Sequence, residues 1–173
     1  MTTVLERYNA LVSDGELRVD ADQAAAAARL DQLATELESG GKGGLFRRLR
    51  ANRGGKAGGP RGIYMWGDVG RGKSMLMDLF CGSVAVARKR RVHFHEFMQE
   101  VHARLNEERK READRPIERV AAALAADLQL LAFDEMVVNN PADAMILSRL
   151  FTELLNSGVT VVATSNRPPR DLY

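Results

Sequence analysis

Gly67-Asp68-Val69-Gly70-Arg71-Gly72-Lys73-Ser74 decides how this chain is read. It fits G-x-x-x-x-G-K-[ST], a loop that cradles phosphate. Glycines let the backbone curl so that successive N–H groups face one anion. A helix N-terminus behind the loop adds favourable partial positive charge. The lysine can then reach the β- and γ-phosphates, and the neighbouring hydroxyl can ligate Mg²⁺. The motif needs a strand before it and a helix after it. Ile63–Trp66 is a short apolar run, and Lys73–Phe80 has helical spacing. All eight residues are therefore expected to hold the phosphates of ATP, with Ser74 on the metal.

Downstream, short apolar runs alternate with amphipathic stretches, the pattern of a parallel sheet covered by helices. The expected strands are Ile63–Trp66, Arg91–His95, Leu128–Phe133 and Val159–Thr164; the expected helices are Lys73–Phe80, Glu96–Lys110, Pro116–Ala126 and Pro141–Asn156. Pro116 and Pro141 suit a first helical position, Asn140 an N-cap, and Gly158 the residue after a last turn. The fold class is α/β: a three-layer αβα phosphate-loop NTPase with a mainly parallel sheet, preceded by a helical segment.

Two strand ends carry further chemistry. Leu130-Leu131-Ala132-Phe133-Asp134-Glu135 is an apolar strand closing on two acids, the Walker B arrangement. Asp134 can hold Mg²⁺, and Glu135 can orient or deprotonate an attacking water. Val161-Val162-Ala163-Thr164-Ser165-Asn166 is a second apolar strand. Its terminal amide, Asn166, can touch the outer phosphate or the lytic water, although Asn and Ser also simply favour turns. The paired acids favour transfer to water over a small-molecule kinase. The lack of an Asn-Lys-x-Asp stretch disfavours GTP.

One domain with a short extension is expected, in three regions: a helical segment over 1–39, a linker over 40–61 and the incomplete phosphate-loop core over 62–173. In the first, Leu5, Tyr8, Leu11 and Val12, then Leu30, Leu33 and Leu37, recur at helical spacing, and Asp20 with Gln23 fits a capping box. In the linker, eight of the 15 glycines and seven basic residues occur without an acid. That composition predicts a mobile segment, or else a phosphate-backbone contact surface with Phe46 as its only stacking aromatic. His93 and His95 would share a face of their strand, and His102 lies nearby, but no acid or thiol completes a metal set. The run Arg88-Lys89-Arg90-Arg91 reads as a solvated turn.

Composition narrows the classes. The 173 residues are 45% hydrophobic and 28% charged, with a net charge of +2, which gives no sign of a nucleic-acid or membrane protein. The longest apolar run, Val120–Ala126, is far short of the ~20 residues that span a bilayer, and no secretory signal is visible. Cys81 is the lone cysteine, so an internal disulfide is excluded. A cytoplasmic protein is expected.

Together the motifs and their flanks resemble the ZapE family of cell-division ATPases, relatives of the mitochondrial AFG-type ATPases. The matching stretches are Tyr64–Gly67, Lys73–Phe80, Arg91–Met98, Phe133–Glu135, Ala142–Leu147 and Ala163–Arg167, with Tyr8, Leu11, Val12 and Gln23 upstream. The His-Phe-His and Ala-Asp-Ala-Met-Ile-Leu stretches are the most particular. Met136, Asn139-Asn140 and Cys81-Gly82 depart from the family pattern, though none touches nucleotide. The resemblance implies an AAA+-type fold, ATP hydrolysis with Mg²⁺, a ring-forming homo-oligomer and a role at the division ring through FtsZ. It places Asn166 at the sensor-1 position. It also implies a fifth strand, an arginine finger, a sensor-2 residue and a helical lid beyond the fourth strand. Because the chain stops at Tyr173, a truncated gene or fragment with weak turnover is expected. Two alternatives stand beside this: a non-catalytic nucleotide-binding fragment, and a replication helper that uses the basic linker on single-stranded DNA.

Overall fold

The computed structural model describes residues 2–42, 62–112 and 114–172. The expectations for the linker, both as a mobile segment and as a basic surface with Phe46, fall almost wholly outside those residues. The elements in chain order are α1 (Val4–Ser13), α2 (Ala21–Lys42), β1 (Gly62–Trp66), α3 (Lys73–Ser83), β2 (Lys89–His93), α4 (Phe94–Lys110), α5 (Pro116–Asp127), β3 (Leu130–Asp134), α6 (Pro141–Asn156) and β4 (Thr160–Ser165), followed by a 3₁₀ turn at Pro169–Asp171.

The four strands form one parallel sheet in the order β1-β4-β3-β2. Side chains alternate across a strand, so each face collects its own core. Leu130, Ala132, Val162 and Met65 face α1, α2 and α3, where Tyr8, Leu30, Leu33, Met77 and Phe80 are buried. Leu131, Phe133 and Ala163 face α4, α5 and α6, where Phe97, Leu105, Leu124, Leu150 and Leu154 are buried. This is the three-layer αβα arrangement. On the second face the Phe133 ring meets Phe94 and Phe97 edge-on at 5.6 and 4.7 Å and stacks on Phe151 at 5.8 Å. β3 is buried along its whole length, which is why it reads as an unbroken apolar run.

The helix ends follow the expected chemistry. Pro116 and Pro141 open α5 and α6, and the Asn140 side chain accepts the Asp143 N–H at 2.8 Å. Gly62 is required by packing, because a Cβ there would lie 1.7 Å from the Val161 carbonyl oxygen and its φ is +129°.

Three local expectations are corrected. β2 starts at Lys89 and ends at His93, so Arg88-Lys89-Arg90-Arg91 is mostly strand rather than solvated turn. It lies at a sheet edge, where long cations discourage pairing with another chain. Each cation is also tied down: Lys89 to the Cys81 and Val84 carbonyls, Arg90 to Glu100, and Arg91 to Asp134 and Asp78. Helix α4 starts directly at Phe94, so His95 lies on a helix and does not share a strand face with His93. His102 instead meets Asp143 at 2.7 Å, linking α4 to α6. Among the described residues there is no cluster of metal-ligating side chains and no helix long and apolar enough to cross a membrane. Last, Asp20 accepts the N–H groups of Asp22 and Gln23, but the Gln23 amide does not reach back to complete the box.

Candidate functional site

The Gly67–Ser74 loop joins the end of β1 to the first turn of α3, the strand–loop–helix context the motif requires. Gly72, the residue before α3, has φ +78°. That left-handed conformation disfavours any Cβ, and a Cβ there would also press to 2.9 Å from the Gln23 Nε2. Lys73 Nζ folds back and donates to the carbonyls of Gly67 and Asp68 at 2.7 and 2.8 Å. Burial holds its ammonium below the ordinary lysine pKa; nearby Asp68 opposes that shift and Arg71 adds to it. An arriving anion would offset the desolvation.

Three chain segments converge here. A cavity of ≈ 310 Å³ is lined by Val69, Gly70, Gly72, Lys73 and Ser74 of the loop, by Glu135 after β3, and by Thr164, Ser165 and Asn166 at the end of β4. Parallel β3 and β4 are neighbours, so both carboxyl ends open on the same side as the loop. Glu135 leaves the strand line with φ +56°, uncommon for a residue with a side chain. Thr164 pins this turn: its Oγ1 accepts the Glu135 N–H at 3.1 Å, and its carbonyl accepts the Met136 N–H at 2.7 Å. Ser165 adds a bond from its hydroxyl to the Met136 carbonyl at 2.7 Å. Among the described residues the Glu135 carboxylate has no partner.

The loop residues divide between two spaces. Asp68 and Arg71 do not line the first cavity. With Gly67 and Lys73 they border a second groove of ≈ 570 Å³, lined also by Gln23, Ala26, Ile63, Met65 and the 57% exposed Trp66. The start of α2 is fastened to this side of the loop. Arg71 pairs with Asp22 at 3.0 Å, and Gln23 Nε2 donates to the Arg71 carbonyl at 3.3 Å, while Gln23 Oε1 is buried without a partner.

Asp134 stands apart from both spaces. It follows Leu130 and Ala132 on the face toward α3 and is only 9% exposed. Arg91 Nε and Nη2 donate to its two oxygens at 2.7 and 3.1 Å. The same guanidinium pairs with Asp78 of α3. These contacts, Asp134 foremost, hold Arg91 more firmly protonated than an ordinary arginine. Arg91, Asp78, Asp22 and Thr164 were not among the expected functional residues. Thr164 lies in the stretch that ends at Asn166, and Asp78 and Arg91 lie in the family-resembling stretches Lys73–Phe80 and Arg91–Met98.

Residues 2–173 match the family model described as AFG1-like ATPase. The chain is similar to Lactation elevated protein 1 homolog B of Danio rerio, at 48% identity over 66% of this chain and 24% of that protein. It is similar to Cell division protein ZapE of Escherichia coli, at 49% identity over 65% of this chain and 30% of that protein. An uncharacterized protein of Schizosaccharomyces pombe is 37% identical over 99% of this chain and 44% of that protein. The chain thus spans less than half the length of each of these relatives. Among solved structures, AMPPCP-bound DnaA from Aquifex aeolicus aligns with a TM-score of 0.46 and 18% identity, covering 65% of this chain and 34% of that one.

Proposed function

Because the chain belongs to the AFG1-like ATPase family, we propose that it binds ATP with Mg²⁺ on Gly67–Ser74 and hydrolyses it slowly. The observation that carries this is the convergence of Lys73, Ser74, Glu135 and Asn166 on one cavity from three separate strand ends.

The donor chemistry suits both groups, with the Asp134 oxygens engaged by Arg91. The left-handed Gly72 and the N-terminus of α3 form an anion cradle, and Lys73 rests on two carbonyls that it can exchange for phosphate oxygens. The exposed Ser74 hydroxyl and the Asp134 carboxylate are hard oxygen ligands of the kind Mg²⁺ takes. When bound, the metal supplies positive charge to the phosphate oxygens. The second groove, apolar beside Trp66 and continuous with Gly67 and Lys73, suits the nucleoside. Glu135 accepts the proton of the attacking water, and its carboxylate has no competing partner among the described residues. The Asn166 amide orients that water or contacts the outer phosphate. Among the described residues, Lys73 is the only cation lining the phosphate-side cavity. An arginine supplied in trans is typically worth about 10³–10⁵ in kcat, so turnover by this chain alone is slow.

Likeness to Cell division protein ZapE favours a cytoplasmic role in cell division, with FtsZ as the partner and a ring of copies as the acting form. Co-sedimentation with FtsZ filaments tests that role; no ATP-dependent difference in the pellet would refute it. For the chemistry, calorimetric titration with Mg-ATP should show binding by the parent chain and none by Lys73→Ala. Glu135→Gln should keep binding and lose phosphate release. Equal affinity in the parent and Lys73→Ala would overturn the site.

A further inference from the structure

Asp134 does not present a bare carboxylate. Both its oxygens are engaged by Arg91 in a bidentate pair, and at 9% exposure little water shares that charge. The same guanidinium also holds Asp78, whose side chain is 66% exposed. Asp78 is four residues after Ser74 on α3, so the two stand one turn apart on the same helix face. Arg91 therefore sits between one proposed metal ligand and the turn below the other.

We propose that Arg91 is a positioning residue that holds Asp134 in the absence of metal and passes to Asp78 when Mg²⁺ arrives; this rests on the Mg-ATP reading above. The charge balance favours such a step. Asp134, Asp78 and Arg91 sum to −1, and a divalent cation on Asp134 would face a guanidinium of like sign across the same carboxylate. Arginine cannot shed its proton to relieve that repulsion. It can keep a counter-ion by swinging to Asp78, which it already touches. Paired with Arg91, Asp134 also keeps its orientation without metal, while Lys73 stays on the Gly67 and Asp68 carbonyls.

The two partners of Arg91 make opposite predictions. Arg91→Gln removes the competing cation, so less Mg²⁺ should be needed. Asp78→Asn removes the alternative partner, so Arg91 holds Asp134 more tightly and more Mg²⁺ should be needed. The experiment is anisotropy of a ribose-labelled ATP analogue on the full chain, first in EDTA and then across a Mg²⁺ titration. Binding in EDTA reads the loop and is each variant's own reference. The Mg²⁺ concentration at half effect should fall about tenfold in Arg91→Gln, as for loss of one charge-assisted bond. It should rise in Asp78→Asn and stay near the parent value in Arg91→Lys.

A change of the same direction in Arg91→Gln and Asp78→Asn would mean a merely structural role and overturn the hand-over. So would no change in Arg91→Gln. If Arg91→Gln does not fold, the exposed Asp78→Asn decides alone, and an unchanged or lowered Mg²⁺ requirement there refutes the proposal. Parent binding in EDTA with no Mg²⁺ increment sinks the hand-over while sparing the loop. No binding by the parent in either condition refutes the nucleotide site and the hand-over with it.

Discussion

Glu135 combines a proposed catalytic carboxylate with a backbone conformation that its Cβ opposes, and the two can be separated by substitution. At φ +56° a residue with a side chain carries about 1–2 kcal/mol of local strain. Glycine removes that strain but loses roughly 0.5–1 kcal/mol more backbone entropy on folding. Glu135→Gly should therefore be more stable than Glu135→Ala by about 0.5–1 kcal/mol, a melting difference of about 1–4 °C for a chain of this size. Both variants lack the carboxylate, so neither should hydrolyse ATP, and the comparison isolates the backbone. The assay is thermal and urea unfolding of the two variants beside Glu135→Gln. The Thr164 Oγ1 bond to the Glu135 N–H holds the strained turn in place. Adding Thr164→Val should let the turn relax and narrow the glycine–alanine gap. An alanine variant as stable as the glycine variant, with Thr164 intact, would refute the strain.

Other outcomes follow from the packing and the charges. Phe133→Ala empties the centre of the ring cluster with Phe94, Phe97 and Phe151 and should cost about 3–5 kcal/mol in urea unfolding. The Arg90 guanidinium, helped by Arg104, holds Glu100 below its ordinary pKa of 4.5 despite partial burial. A depressed carboxylate pKa stabilises the fold above the unfolded value, and that contribution is lost as pH falls through the folded value. The stability of Glu100→Gln should therefore fall less steeply than that of the parent below pH 4.5, measured as urea midpoints across an acid series.

What was legible in the sequence was what local chemistry dictates. The Gly67–Ser74 loop, the acid after β3 and the amide after β4 each sit at a strand end whose apolar run announces it, and the parallel sheet then brings those ends together. Pro116, Pro141 and Asn140 mark helix starts because their preferences act within one turn. The β2 register was not legible. Its cations imitate a solvated loop, and its meaning depends on pairing Arg91 beside Ala132 so that the guanidinium reaches Asp134. His93 gives no side-chain cap to announce α4, so the sequence pattern alone runs the strand two residues past its end at His93. Thr3 and Glu6 form a complete capping box, yet Asp20 and Gln23, with the same spacing, do not. The difference is tertiary: the Arg71 carbonyl lies within reach of the Gln23 amide.

That last contact makes α2 a lever. Its first turn is bolted to the Gly67–Ser74 loop through Asp22 and Gln23, and the helix then runs for 22 residues, a length of about 33 Å. A tilt of about 5° at the bolted end moves the far end by about 3 Å over such a length. Because α1 and α3 bury their apolar faces against α2, the layer would turn as a block. A shift of a fraction of an ångström where Arg71 meets Gln23 is thus magnified at Lys42, the point from which residues 43–61 depart.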